Sequence, residues 1–144
     1  MLGKTTGYAI RALVYIFIQN QEGKRPGFKE IAKKIDSPEQ FTAKVLQILA
    51  RAELISSMKG RGGGFFFDQP STPLTLYEVI RVMEGEKFFS KCGFGLKLCD
   101  GKNPCPLHND YSPVREGFFQ LVKKETIKSL ADKINDHKAV LTRS

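Results

Sequence analysis

Apolar residues occupy most of a helical circumference over positions 8–20, starting Tyr8-Ala9-Ile10 and ending Ile18-Gln19-Asn20, which predicts a buried first helix. Residues 21–27 form a polar turn, and residues 28–35 a short amphipathic helix with Phe28, Ile31, Ala32 and Ile35 on one face. Ser37-Pro38-Glu39-Gln40 then reads as a helix start. Ser37 caps, Pro38 suits the first helical position, and Gln40 completes a Ser-x-x-Gln capping box. The third helix runs to about Ala52 and buries Phe41, Val45, Leu46 and Leu49. Two short helices joined by a tight turn, the second opening on small polar residues, make a helix-turn-helix pattern.

Residues 54–58 read as a strand and residues 65–68 as its partner, separated by Lys59-Gly60-Arg61-Gly62-Gly63-Gly64. A loop this rich in glycine permits positive φ and makes a hairpin tip that carries two cations. A helix-turn-helix followed by a basic hairpin is a winged helix. A second capping box, Thr75-Leu76-Tyr77-Glu78, opens a helix to about Gly85. Residues 86–111 show little periodicity. Ser112-Pro113 then begins a long amphipathic helix with Val114, Phe118, Leu121, Val122, Ile127, Leu130 and Ile134 at its apolar positions. Such a helix, beyond an already complete small domain, has little of its own core to cover. It predicts a dimer interface built on Phe118, Leu121, Val122 and Leu130.

The expected fold class is mainly α with a small β-hairpin, a winged helix-turn-helix domain plus a long C-terminal dimerisation helix. The expected division is a DNA-binding domain over 1–85, a cysteine-rich loop over 86–111, and the dimerisation helix and tail over 112–144. The chain shows no internal repeat. No apolar run approaches the roughly 18 residues of a membrane span, and the first residues lack the pattern of a signal peptide, so a cytoplasmic protein is expected.

Charge sharpens the picture. The net charge is +8, and residues 1–68 account for +5 of it, with eleven Lys/Arg against six Asp/Glu. Neutralising phosphates releases counterions, so a basic chain favours polyanionic partners. On the third helix, Ser37, Glu39, Gln40, Thr42, Ala43, Lys44 and Gln47 are the candidates for a base-reading face, because early residues of the second helix of such a motif reach base edges in the major groove. Gln and Lys donate to purine acceptors there, and a Thr methyl meets thymine. In the wing, Lys59, Gly60 and Arg61 stand in a stretch without any acidic residue between Glu53 and Asp68. The glycines admit close approach of a phosphate, and an Arg suits a narrow minor groove. The loop lacks the Gly-x-x-x-x-Gly-Lys-Ser/Thr order of a nucleotide-binding loop and precedes a strand, not a helix.

All three cysteines fall within fourteen residues, as Cys92-x6-Cys99-x5-Cys105-x2-His108. In a reducing compartment this clustering points to metal or redox chemistry. Thiolates are soft ligands for zinc or for iron–sulfur clusters, and three Cys with one His also build a closed tetrahedral zinc site. Spacing alone leaves both open. Catalytic dyads are absent from the pattern, and His137, isolated in a polar helix end, is expected to be exposed; an enzyme is not expected.

Almost end to end, the chain resembles the IscR/NsrR-type bacterial regulators. The resemblance lies in Thr6-Gly7-Tyr8-Ala9-Ile10-Arg11-Ala12-Leu13, in Lys29-Glu30-Ile31-Ala32, in Lys59-Gly60-Arg61-Gly62-Gly63-Gly64-Phe65, in Leu74-Thr75-Leu76-Tyr77-Glu78-Val79-Ile80, and in Glu84-Gly85 before the cysteines. It implies a homodimer on a palindromic operator in double-stranded DNA, with Cys92, Cys99 and Cys105 holding an iron–sulfur cluster whose state alters DNA binding. IscR-like members complete a 2Fe–2S site with a His three residues after the last Cys, where His108 stands. NsrR-like members use an acidic residue where this chain has Gly7, which cannot ligate; 2Fe–2S is therefore preferred over 4Fe–4S. The first cysteine gap is one residue longer than in typical members, and Thr42-Ala43-Lys44 replaces a common Leu-Glu-Gln, so the operator should differ. The expected function is a cluster-controlled transcription regulator, with repression its expected sense and nitric oxide, redox state or iron–sulfur status its signal. The alternatives are a CCCH-like zinc protein binding nucleic acid and a small iron–sulfur electron carrier.

Overall fold

The computed structural model describes residues 2–70, 72–92, 94–96 and 100–143. In chain order the elements are α1 (Lys4–Gln21), α2 (Phe28–Lys34), α3 (Glu39–Arg51), β1 (Ser56–Met58), β2 (Gly64–Phe66), α4 (Leu76–Glu84), a 3₁₀ turn (Glu86–Ser90), α5 (His108–Lys124) and α6 (Ile127–Asn135). α1 is the centre of the molecule, and α2, α3, α4 and α6 all pack along it. Its apolar run is buried from Ala12 to Phe17, and Ile31, Ile35, Val45, Leu46, Leu49 and Val79 close the core around it.

The helix-turn-helix forms as the apolar spacing requires, but its third helix starts differently from the expected capping box. Pro38 is the N-cap and no side chain caps the helix. The Ser37 hydroxyl instead meets Thr42 Oγ1, which donates to the Pro38 carbonyl at 2.8 Å. The turn before it is closed by Ser37 N–H on the Ala32 carbonyl, with Asp36 at φ 54°.

The wing is an antiparallel pair with Ser57 opposite Phe65 and Met58 opposite Gly64. Two of its glycines are required by space. A Cβ on Gly63 would lie 2.1 Å from the Met58 carbonyl oxygen, and one on Gly64 2.1 Å from that of Arg25. That close approach lets Phe65 N–H donate to Pro26 O, docking the wing on the α1–α2 connection. Asn20 completes the joint: its Nδ2 donates to Lys24 O and Phe65 O, and its Oδ1 accepts from Phe67 N–H.

The C-terminal region departs from one continuous helix. α5 begins a turn before Ser112-Pro113, with Tyr111 N–H on Leu107 O and Ser112 Oγ on His108 O. Pro113 is therefore internal, and the bond it forgoes would run to the carbonyl of Asn109, an exposed residue. α5 ends at Lys124 because Thr126 pairs with Thr75 as an isolated bridge, with Leu76 N–H on Glu125 O and Ile127 N–H on Leu74 O. A Thr126/Ser129 capping box then starts α6, which buries Ile127 and Ala131 against α1. Leu130 and Ile134 thus cover this chain's own core, and Val122 is also buried within the single chain. Of the four expected dimer residues, Leu121 alone is an exposed apolar side chain, at 51%.

Candidate nucleic-acid interface and cysteine segment

On α3, Glu39, Gln40, Lys44 and Gln47 are exposed, whereas Val45, Leu46 and Leu49 face the core. Thr42 is a correction: it is 1% exposed and its hydroxyl is spent on Ser37 and Pro38. One turn of helix separates Thr42 from Val45 and Leu46, so it shares their buried side, and its small size lets it fill that seam. Ser37 is half-buried with its hydroxyl engaged there, while Ala43 is half-buried between the two faces.

Lys59, Gly60 and Arg61 are exposed at the wing tip. Gly60 and Gly62 have φ of 95° and 78° with open space on their Cβ side, so this backbone is approachable from solvent. Arg25, from the α1–α2 connection, stacks its guanidinium 4.0 Å over the Phe66 ring and adds a cation at the wing base. A lone Arg in a polar turn gave no sign of that placement. Lys4 and Tyr8 of α1 border α3, with the Tyr8 and Phe41 rings edge-to-face at 5.5 Å.

In the cysteine segment, Cys92 Sγ lies 3.3 Å from Cys105 Sγ. Two thiolates on one tetrahedral ion at about 2.3 Å stand roughly 3.8 Å apart, so half an ångström of movement lets this pair share a metal. Phe94 N–H donates to Cys92 Sγ at 3.4 Å; that bond, followed by the Cys105 contact, holds the Cys92 thiol below its ordinary range against the opposing effect of burial. His108 opens α5, its N–H on the Cys105 carbonyl at 3.0 Å, and its Nε2 faces Gly101, whose added Cβ would be 3.8 Å away. Asp100 is held below the usual carboxylate range, first by the Asn103 amide and then by Lys102 N–H. Cys99 lies outside the described residues.

His108 and Gly101 also line a cavity of about 490 Å3 with Tyr77, Phe89 and Arg115. Arg115 Nη1 is buried and has no hydrogen-bond partner among the described residues. Glu86 and Glu116 line the same cavity, so its charge is mixed and Arg115 does not by itself mark an anion site. The donor types fit a cluster: two thiols converge, and His108 follows Cys105 by three residues at the start of α5. Among the described residues no group of three metal-ligating side chains is assembled.

The family model for Rrf2, described as an iron-dependent transcriptional regulator, matches residues 2–133. The chain belongs to the Rrf2 family. It is 31% identical over 130 residues to Protein aau3 of Rhizobium meliloti, covering 90% of this chain and 83% of that protein. It is 25% identical, at 90% and 88% coverage, to the HTH-type transcriptional regulator NsrR of Oceanobacillus iheyensis. Two solved structures share the fold. IscR of T. potens superposes with a TM-score of 0.74 at 16% identity, covering 97% of this chain and 92% of that one. CymR, described as the global cysteine regulator of B. subtilis, gives 0.73 at 20% identity, covering 92% and 96%. The Rrf2 chain is a winged-helix, DNA-binding transcription regulator and not an enzyme. No helix among the described residues is long and apolar enough to cross a membrane.

Proposed function

We propose that this Rrf2 protein is a cytoplasmic homodimeric repressor whose hold on a palindromic operator is set by an iron–sulfur cluster bound through Cys92, Cys99, Cys105 and His108. The observation that carries the reading is the 3.3 Å approach of Cys92 and Cys105 Sγ, with the His108 N–H held on the Cys105 carbonyl at 3.0 Å. When bound, the cluster supplies a centre that reacts with oxidants or nitric oxide and thereby reports on them. The chain's own residues do the rest. Phe94 N–H favours thiolate at Cys92. The α5 start fixes the His108 backbone against Cys105. The 3₁₀ turn and Gly85, at φ 93°, join this segment directly to α4 of the winged helix.

Lys44 and Gln40 on α3 and Lys59, Gly60 and Arg61 on the wing contact DNA in this reading; Glu39 borders them. Val114 and Leu121, 54% and 51% exposed and two helical turns apart on α5, form the exposed part of the dimer face. The similarity to NsrR and IscR favours a cluster, and the similarity in fold to CymR shows that this architecture also serves a regulator described by cysteine.

The test is anaerobic purification with iron and sulfide analysis, visible absorption and Mössbauer spectra, followed by operator binding before and after cluster removal. Expected are a coloured protein, loss of iron in Cys92→Ala and Cys105→Ala, and a change in operator affinity of about tenfold or more, within the usual range of allosteric coupling. A colourless zinc protein with unchanged operator binding would reject the reading.

A further inference from the structure

The first turn of α1 is held by a residue far along the chain. Glu84, the last residue of α4, accepts on the same Oε2 from Gly3 N–H at 3.0 Å and from Thr6 Oγ1 at 2.8 Å. Thr6 is 1% exposed, so its hydroxyl depends on this partner. Between those two anchors sits Lys4, exposed, with no ion pair among the described residues. Its side chain borders a groove of about 380 Å3 shared with Gln40, Phe41 and Lys44 of α3, and the Tyr8–Phe41 ring contact fixes that edge of α1 against α3.

Geometry then says what Lys4 meets. The major groove is about 12 Å wide and a helix with its side chains about 10–12 Å across, so a helix that enters the groove fills it. A cation standing beside that helix faces the sugar-phosphate wall, not the base edges. We propose that Lys4 is a DNA-phosphate contact flanking α3 and that Glu84 is its positioning residue. The last residue of α4, one before the turn into the cysteine segment, thereby sets a contact on the DNA face. The proposal rests on α3 being the helix that enters the groove.

The experiment uses the full chain and a duplex selected by the wild-type protein from a random library, with a scrambled duplex of equal length, titrated at several KCl concentrations. Lys4→Ala should weaken both duplexes by the same factor and lower the salt slope by about 0.9, the signature of one lost phosphate contact, with Lys4→Arg restoring both. Glu84→Ala should reproduce the Lys4→Ala loss and add nothing to it in the double variant. Glu84→Gln, whose Oε1 can take both hydrogen bonds, should bind nearly as wild type. Tighter binding by both Glu84 variants would mean that Glu84 merely repels phosphate, and an unchanged salt slope in Lys4→Ala would remove Lys4 from the interface; either result overturns the proposal. Lys44→Ala separates the premise from the proposal. If it leaves the preference for the selected duplex intact, α3 is not the groove helix; if it alters that preference while Lys4→Ala does nothing, only the Lys4 assignment falls.

Discussion

Cys105 and His108 are joined by a backbone hydrogen bond of 3.0 Å, from the His108 N–H to the Cys105 carbonyl, and so move as one turn. Ligation by both would fix that turn to the metal. His108→Ala, prepared anaerobically, should lose or destabilise the cluster, while His137→Ala, at an exposed helix end, should not. His108→Cys should keep iron and lower the reduction potential, since imidazole ligation raises it relative to thiolate. Wild-type iron content, spectrum and potential in His108→Ala would remove His108 from the ligand set.

For the wing, Lys59→Ala and Arg61→Ala should each reduce affinity for every duplex and lower the salt slope by about one. Lys44→Ala should instead change base preference, by roughly 1–3 kcal/mol at one position. Binding isotherms over a salt series distinguish the two patterns. Unaltered binding in the Lys59/Arg61 double variant would exclude the wing from the interface.

Dimerisation should depend on the exposed side of α5. Val114→Glu combined with Leu121→Glu places charge on two exposed apolar positions without opening the core, and should yield monomers by light scattering. Phe118 is a poorer choice, because its ring already packs on Phe88 and Phe89 of the same chain at 6.3 Å. A dimer that survives both charges would place the interface elsewhere.

Acid should loosen the α5–α6 junction. Glu125 is held below the usual carboxylate range by the Ser129 hydroxyl at 2.6 Å and then by Lys133 at 3.1 Å. A carboxyl depressed in the folded state adds stability above its unfolded value of about 4.3 and loses it as the pH falls through the lower folded value. Thermal unfolding should therefore show a destabilisation below about pH 4.5 that Glu125→Gln reduces, at a cost near 1 kcal/mol at neutral pH. Identical pH profiles for the two proteins would discard this contribution. Ile127→Ala, which empties a fully buried site under α6, should cost about 2–5 kcal/mol at any pH.

Much of this protein follows from local pattern. The apolar run of α1, the spacing of Ile31, Ile35, Val45, Leu46 and Leu49, and the Thr75–Glu78 cap are near-neighbour properties, and each element formed where they predict. The glycine-rich basic hairpin was equally legible, as was the clustering of cysteines. The tertiary structure alone decided matters that depend on distant partners. Thr42 looks like an exposed polar residue in sequence, but packing beside Val45 and Leu46 buries it. The apolar stripe after Ser112 reads as one helix because the 3.6-residue period runs on through it, yet pairing of Thr126 with Thr75 breaks it and sends Ile127 back to α1. Glu84 on Gly3 and Thr6, and Cys92 beside Cys105, join residues 78 or more and 13 positions apart, respectively. No local periodicity encodes such contacts, since they exist only once the core has set the helices against one another.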